Sequence, residues 1–111
     1  MIHEIGSHRF RHGDVTKGIS DLMRSDKAQI MYSDPPWGEG NIKYWATMNK
    51  KMTGDTNVPV PLDTFLGSIF DAANRYVSHY LLIEYGIRWA DMIQKRGEQA
   101  GFQHVEIIKL L

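Results

Sequence analysis

Apolar and polar positions recur along this chain with two different periods, and the switches between them outline its elements. His8 to His12 alternates and runs into Gly13-Asp14, which predicts a short strand ended by a turn. Ile19, Leu22 and Met23 stand at helical spacing and predict a short helix from about Val15 to Arg24. Ala28 to Ser33 is an apolar run stopped by Asp34-Pro35-Pro36, the pattern of a strand buried on both faces. From Gly38 to Pro61 glycine and proline are frequent and periodicity is weak, so residues 38–61 read as one long loop. Pro61-Leu62-Asp63 opens a helix with Asp63 as its N-cap, and Phe65, Leu66, Ile69, Phe70, Ala73 and Val77 give it a wide apolar face. His79 to Tyr85 predicts a second buried strand. Ile87 to Ala100 predicts a helix with Trp89, Met92, Ile93 and Arg96 on one stripe, weakened by Gly97 and closed near Gly101. His104 to Leu111 predicts a third strand.

Strands that alternate with helices imply crossover connections, hence an α/β fold with a mostly parallel sheet and helices on both faces. In such sheets ligands bind beyond the carboxyl ends of the strands. Asp14, Asp34 and Glu84 each follow a predicted strand, so this topology would gather them at one crevice.

Length and composition narrow the classes. The chain has 111 residues, enough for a single domain, 1–111, with a modest core, and 42% hydrophobic residues argue against disorder. Its apolar runs are too short to span a bilayer, and residues 1–5 lack the pattern of a signal peptide, so a cytoplasmic protein with no membrane association is expected. There is no cysteine, hence no disulfide and no thiolate metal site. His3, His8 and His12 match no common zinc spacing and read as surface or strand histidines, so no metal is expected.

Thirteen basic residues balance thirteen acidic ones, which weighs against a complete, autonomous DNA-binding enzyme. Local basic clusters remain: Arg9, Arg11 and Lys17 early, and Lys43, Lys50 and Lys51 after Trp37.

The chemistry concentrates in Asp34-Pro35-Pro36-Trp37. Methyl transfer to an exocyclic amine must recruit a lone pair that is delocalised into the ring. A site helps by accepting hydrogen bonds from both N–H groups, one on a carboxylate and one on an outward backbone carbonyl. Asp34 and the Pro35 carbonyl suit those roles. Consecutive prolines fix φ and remove two donors, which makes the turn rigid, and this chemistry depends on alignment. Trp37 offers a flat face on which an extruded base stacks.

Asp-Pro-Pro-Trp after an apolar strand resembles the signature of the adenine-N6 methyltransferase families, bacterial and phage DNA enzymes and related RNA enzymes. Arg11-His12-Gly13-Asp14-Val15 resembles the strand and Gly-Asp turn that precede the target motif in their permuted subgroup. With the helices and strands that follow, the resemblance covers roughly residues 9 to 111. It implies a partial Rossmann-like methyltransferase sheet and S-adenosylmethionine as cofactor, with Asp14 holding the cofactor adenine. Asp34 would touch both the target amine and the cofactor's methionine part. Cytosine-N4 enzymes usually carry Ser at the first motif position and glutamine methylases Asn, so Asp34 points to adenine. The substrate implied is DNA, with RNA open.

One departure matters. The second family motif, an aromatic or apolar residue followed by Gly-x-Gly at a strand end, is absent; Gly38-Glu39-Gly40 has the glycines in the wrong place. The chain is therefore expected to be the N-terminal, target-binding part of a larger methyltransferase. By itself it should be inactive, and it would associate with a complementary chain or another copy. The alternative is a non-catalytic relic or subunit that binds nucleic acid or a partner protein.

Plainer readings stand beside these. Pro35-Pro36 also suits an ordinary rigid loop. Asp14 reads equally as the N-cap of the turn at Val15 to Lys17. Glu84 reads as a strand-end surface residue. Tyr44 and Trp45, near Lys43, Lys50 and Lys51, either stack on nucleic acid or plug the loop onto the core, the plug being favoured.

Overall fold

The computed structural model describes residues 2–36, 38–54, 60–104 and 106–109. Strands β1 (Ile2–Ile5) and β2 (His8–Arg11) form an antiparallel hairpin with Ile5 opposite His8. The two-residue turn is Gly6-Ser7, and Gly6 adopts φ 58°, a left-handed conformation that glycine enters without a Cβ penalty. The strand predicted at His8 is thus the second arm of a hairpin, and its first arm, β1, carries no alternation that predicts it.

The helix expected from Val15 to Arg24 is two pieces. A 3-10 turn spans Val15–Lys17, and α1 spans Ser20–Met23. Gly18, at φ 88°, lies between them and ends the first piece. The Arg11 guanidinium ties this region to the hairpin, donating to Asp21 at 2.7 Å and to the Gly18 carbonyl at 2.9 Å.

Strand β3 (Ala28–Ser33) pairs in parallel with β4 (Val77–Ile83), with Ile30 beside Tyr80, Tyr32 beside Leu82 and Ser33 beside Ile83. Between them run two helices. The segment expected as a loop from 38 to 61 contains α2 (Glu39–Thr53), a correction to the sequence reading; residues 55–59 of that segment lie outside the described residues. Only Ile42 of α2 is buried, so no apolar stripe announces it. Its signals are terminal: Glu39 in the first turn, Lys50 and Lys51 in the last, and Gly54 in the left-handed C-cap conformation at φ 73°.

Helix α3 (Leu62–Tyr76) was anticipated, and Leu66, Ile69, Phe70 and Ala73 of its apolar stripe are buried. Its N-cap is Pro61; Asp63 makes no cap and instead pairs with Arg96. At Tyr76 the helix passes into β4 with no intervening loop. A 3-10 turn (Ile87–Trp89) then leads into α4 (Ala90–Gln99), close to the expected helix. The core gathers Ile42, Leu62, Leu66, Phe70 and Ile93, with Leu66 fully enclosed. Gly97 faces Phe70, where the missing side chain lets α4 lie close to α3.

Two expectations fail. Residues 102–104 and 106–109 form no strand, and the remainder of 104–111 lies outside the described residues. The apolar run there finds no partner edge among the described residues; Ile107 and Ile108 are exposed. The β3–β4 sheet is also not buried on both faces: α3 packs on one, while Ile30, Tyr32, Tyr80 and Leu82 stand 44–63% exposed on the other. The architecture is therefore mixed α/β with a small parallel sheet and a separate hairpin. Among the described residues, no helix is long and apolar enough to cross a membrane.

Candidate functional site

The carboxyl ends of β3 and β4 lie side by side. Ser33 pairs with Ile83, and the Glu84 amide donates to the Ser33 carbonyl at 2.9 Å, extending the ladder one step. Asp34 and Glu84 thus leave the sheet together. Side chains alternate along a pleat, so both fall on the side of Tyr32 and Leu82, the uncovered face. The topology expected from sequence brings these two carboxylates together.

Tyr32 reports the electrostatics of this end. Its phenol is pushed up to about 12 by its hydrogen bond to the Glu84 carboxylate, then by partial desolvation and the negative charges of Glu84 and Asp34. The phenol donates to the Glu84 carboxylate, and the charge of Asp34 acts on the same strand end. Glu84, read from sequence as a surface group, is part of this corner. Its signal was its place directly after the strand.

Pro35 is buried and Pro36 half-buried. Among the described residues, no backbone donor reaches the Pro35 carbonyl. Trp37, expected to stack on a base, lies outside the described residues. Gly38 is buried beneath the indole of Trp89, and a Cβ there would overlap the ring nitrogen and come 3.1 Å from Cε2. The Arg88 guanidinium stacks over the same indole at 5.4 Å. Sequence reading put Trp89 on a core stripe. It does flank the core, and it also clamps the glycine that ends the Asp34 turn. Glu39 adds a second tie, accepting from the Leu62 amide at 3.4 Å and linking the starts of α2 and α3.

Asp14 stands apart in topology. It follows β2, whose hairpin is not part of the β3–β4 sheet, so the shared-sheet argument for placing it with Asp34 and Glu84 does not hold. Its Oδ1 accepts from the Thr16 amide at 2.9 Å and from the Thr16 hydroxyl at 2.7 Å. These bonds, side chain first, hold its carboxyl below the usual range. The N-cap reading is what the geometry displays. Tyr44 and Trp45 do not plug a loop; they are 56% and 54% exposed on α2, with Lys43, Lys50 and Lys51 also exposed.

A concavity lies elsewhere, between Phe70 and Asn74 of α3 and Arg96 and Ala100 near α4. Among the described residues, no group of three or more His, Asp or Glu is placed to hold a metal ion. No known protein family, curated protein or solved structure matches the chain.

Proposed function

We propose that this chain is the amine-holding part of an S-adenosylmethionine-dependent DNA adenine-N6 methyltransferase, built on a partial Rossmann-like sheet. The observation that supports it is Asp34-Pro35 at the carboxyl end of a parallel strand, in a turn stiffened by two prolines and clamped at Gly38. In this reading Asp34 accepts one N–H of the adenine amine and the Pro35 carbonyl accepts the other, which turns the nitrogen lone pair outward toward a methyl donor. The contribution is orientation of the nucleophile. The methyl donor is held by residues other than those described.

The uncovered face of Ile30, Tyr32, Tyr80 and Leu82 favours a companion reading. The chain serves as one subunit, and a complementary chain supplies the cofactor-binding half. A subunit that has lost chemistry but keeps the docking face would have the same surface.

The test follows the backbone amides of Ser33, Asp34 and Glu84 by NMR while the chain is titrated with a short single-stranded oligonucleotide containing one adenine. The same oligonucleotide carrying N6,N6-dimethyladenine has no N–H to donate. Shifts with adenine, none with the dimethyl base and none in Asp34→Ala are expected. Equal response to both bases would sink the reading. Calorimetry with S-adenosylmethionine should give no heat from the chain alone.

A further inference from the structure

Helix α2 begins five residues after Asp34, and most of its residues are exposed. Only Ile42 is buried. Residues seven apart lie nearly above one another on a helix, separated by about 10 Å. Lys43 and Lys50 therefore form one row and Tyr44 and Lys51 the next, with Thr47 between them. All five are exposed. Tyr44 meets Trp45 edge-on, with ring centroids 5.3 Å apart.

After Glu39 in its first turn, this helix carries charge of one sign only. Between Glu39 and Asp55 the chain carries three lysines and no acidic residue, although the whole chain is neutral. Elsewhere Arg9, Arg11, Arg24, Arg75 and Arg96 are paired with carboxylates. No ion pair among the described residues uses a lysine, so what sets Lys43, Lys50 and Lys51 apart is their place together on one helix face. An exposed cationic track with Tyr44 on it, and Trp45 set against the edge of that ring, matches a chain of phosphates bearing unstacked bases. It does not match an acidic protein surface as well, because the rings would then lack a flat partner. The track starts one turn into the helix and runs about 12 Å from Lys43 to Lys51, leading away from the Asp34 turn.

We propose that the Lys43, Tyr44, Lys50 and Lys51 face of α2 is a docking surface for a single-stranded stretch of nucleic acid, guiding the strand that delivers its base to Asp34. The delivery rests on the amine-holding reading above; the docking surface itself rests on the charge and exposure of α2. Lysines contribute nonspecific affinity through phosphates, and Tyr44, with Trp45 set against its edge, gives the face its preference for unstacked bases.

The measurement is fluorescence anisotropy of a labelled single-stranded oligonucleotide, and of its duplex, with the full chain across about 50–200 mM salt. Binding of the single strand should be tighter than that of the duplex. Replacing Lys43, Lys50 and Lys51 with Gln should reduce the slope of log affinity against log salt by about 2, from about 0.7 per phosphate contact. Tyr44→Ala should narrow the difference between single strand and duplex. A charge-matched variant with Lys17, Lys27 and Lys95 changed to Gln should keep the wild-type slope. An equal drop in that control, absence of binding by the wild-type chain, or tighter binding of duplex would overturn the proposal. An all-thymine single strand, which has no exocyclic amine to offer Asp34, should show the same dependence on Lys43, Lys50 and Lys51. Failure of the α2 surface is thereby separated from failure of the amine site.

Discussion

The indole of Trp89 lies directly against Gly38, so two segments fifty-one residues apart in sequence meet at the end of the Asp34 turn. The glycine is needed there for room, since its φ of 172° is extended backbone open to any residue. A methyl group at that position would overlap the ring nitrogen, and an indole held by Arg88 and the core has little freedom to move. Gly38→Ala should therefore destabilise the chain by about 1–3 kcal/mol, the usual cost of overpacking. Trp89→Leu in the same chain should recover part of that loss. Chemical denaturation of the two single variants and the double variant measures the coupling. Additive effects would mean that the two residues do not share the site.

Tyr32 and Glu84 provide a pH signature. The folded phenol titrates at about 12, raised from the ordinary 10.0 by Glu84. A raised value means that the interaction stabilises the fold at any pH below the ordinary tyrosine value and is lost as pH rises through about 12. An alkaline titration followed by tyrosinate absorbance should show one phenol ionising after the others. Glu84→Ala should return that phenol toward its ordinary range and remove the extra alkaline stability. An unchanged titration in Glu84→Ala would show that the two groups are not in contact.

Legibility varied with how much each element relies on the core. The pattern around Leu66 and Phe70 announced α3, because that helix is stabilised by burying one stripe. The Ala28 to Ser33 run announced β3, and the end of β4 at Ile83 placed Glu84 beside Asp34. Helix α2 was illegible from periodicity because it buries one side chain, Ile42, and its evidence lay in Glu39, Lys50, Lys51 and Gly54 at its ends. The β1 arm was hidden because two four-residue strands pair mainly through backbone, with Gly6-Ser7 the only local sign. The place of Asp14 could not be read at all. Sequence order gives the strand it follows, but not that the strand joins a separate sheet.

Helix α3 allows opposite predictions at adjacent positions. Leu66 is fully enclosed, and Leu66→Ala should cost about 2–5 kcal/mol through lost transfer energy and a residual cavity. Gly67 is exposed, and a Cβ there meets nothing within 4 Å. Gly67→Ala should stabilise by up to about 1 kcal/mol, because alanine has the lower entropic cost in a helix interior. Thermal melts of the two variants should move in opposite directions. A destabilising Gly67→Ala would imply that the exposed face of α3 is occupied in solution.

The open face of the β3–β4 sheet makes the strongest demand on solution behaviour. Ile30 beside Tyr80 and Tyr32 beside Leu82 make two cross-strand pairs, and contiguous exposed apolar patches on soluble chains mark sites of association. Among the described residues each strand of this two-stranded sheet also has an unpaired edge, which strengthens the tendency. The chain should therefore associate as concentration rises in sedimentation velocity. Leu82 is 44% exposed, so Leu82→Lys should shift the stability of the monomer by no more than about 0.5 kcal/mol, the range for substitutions that touch no core feature. The buried charge it would create in any complex opposes association. A variant that stays monomeric and keeps its melting temperature would assign the face to docking. A variant that unfolds would place Leu82 in the core, and a wild-type chain monomeric at every concentration would mean that the face needs no cover.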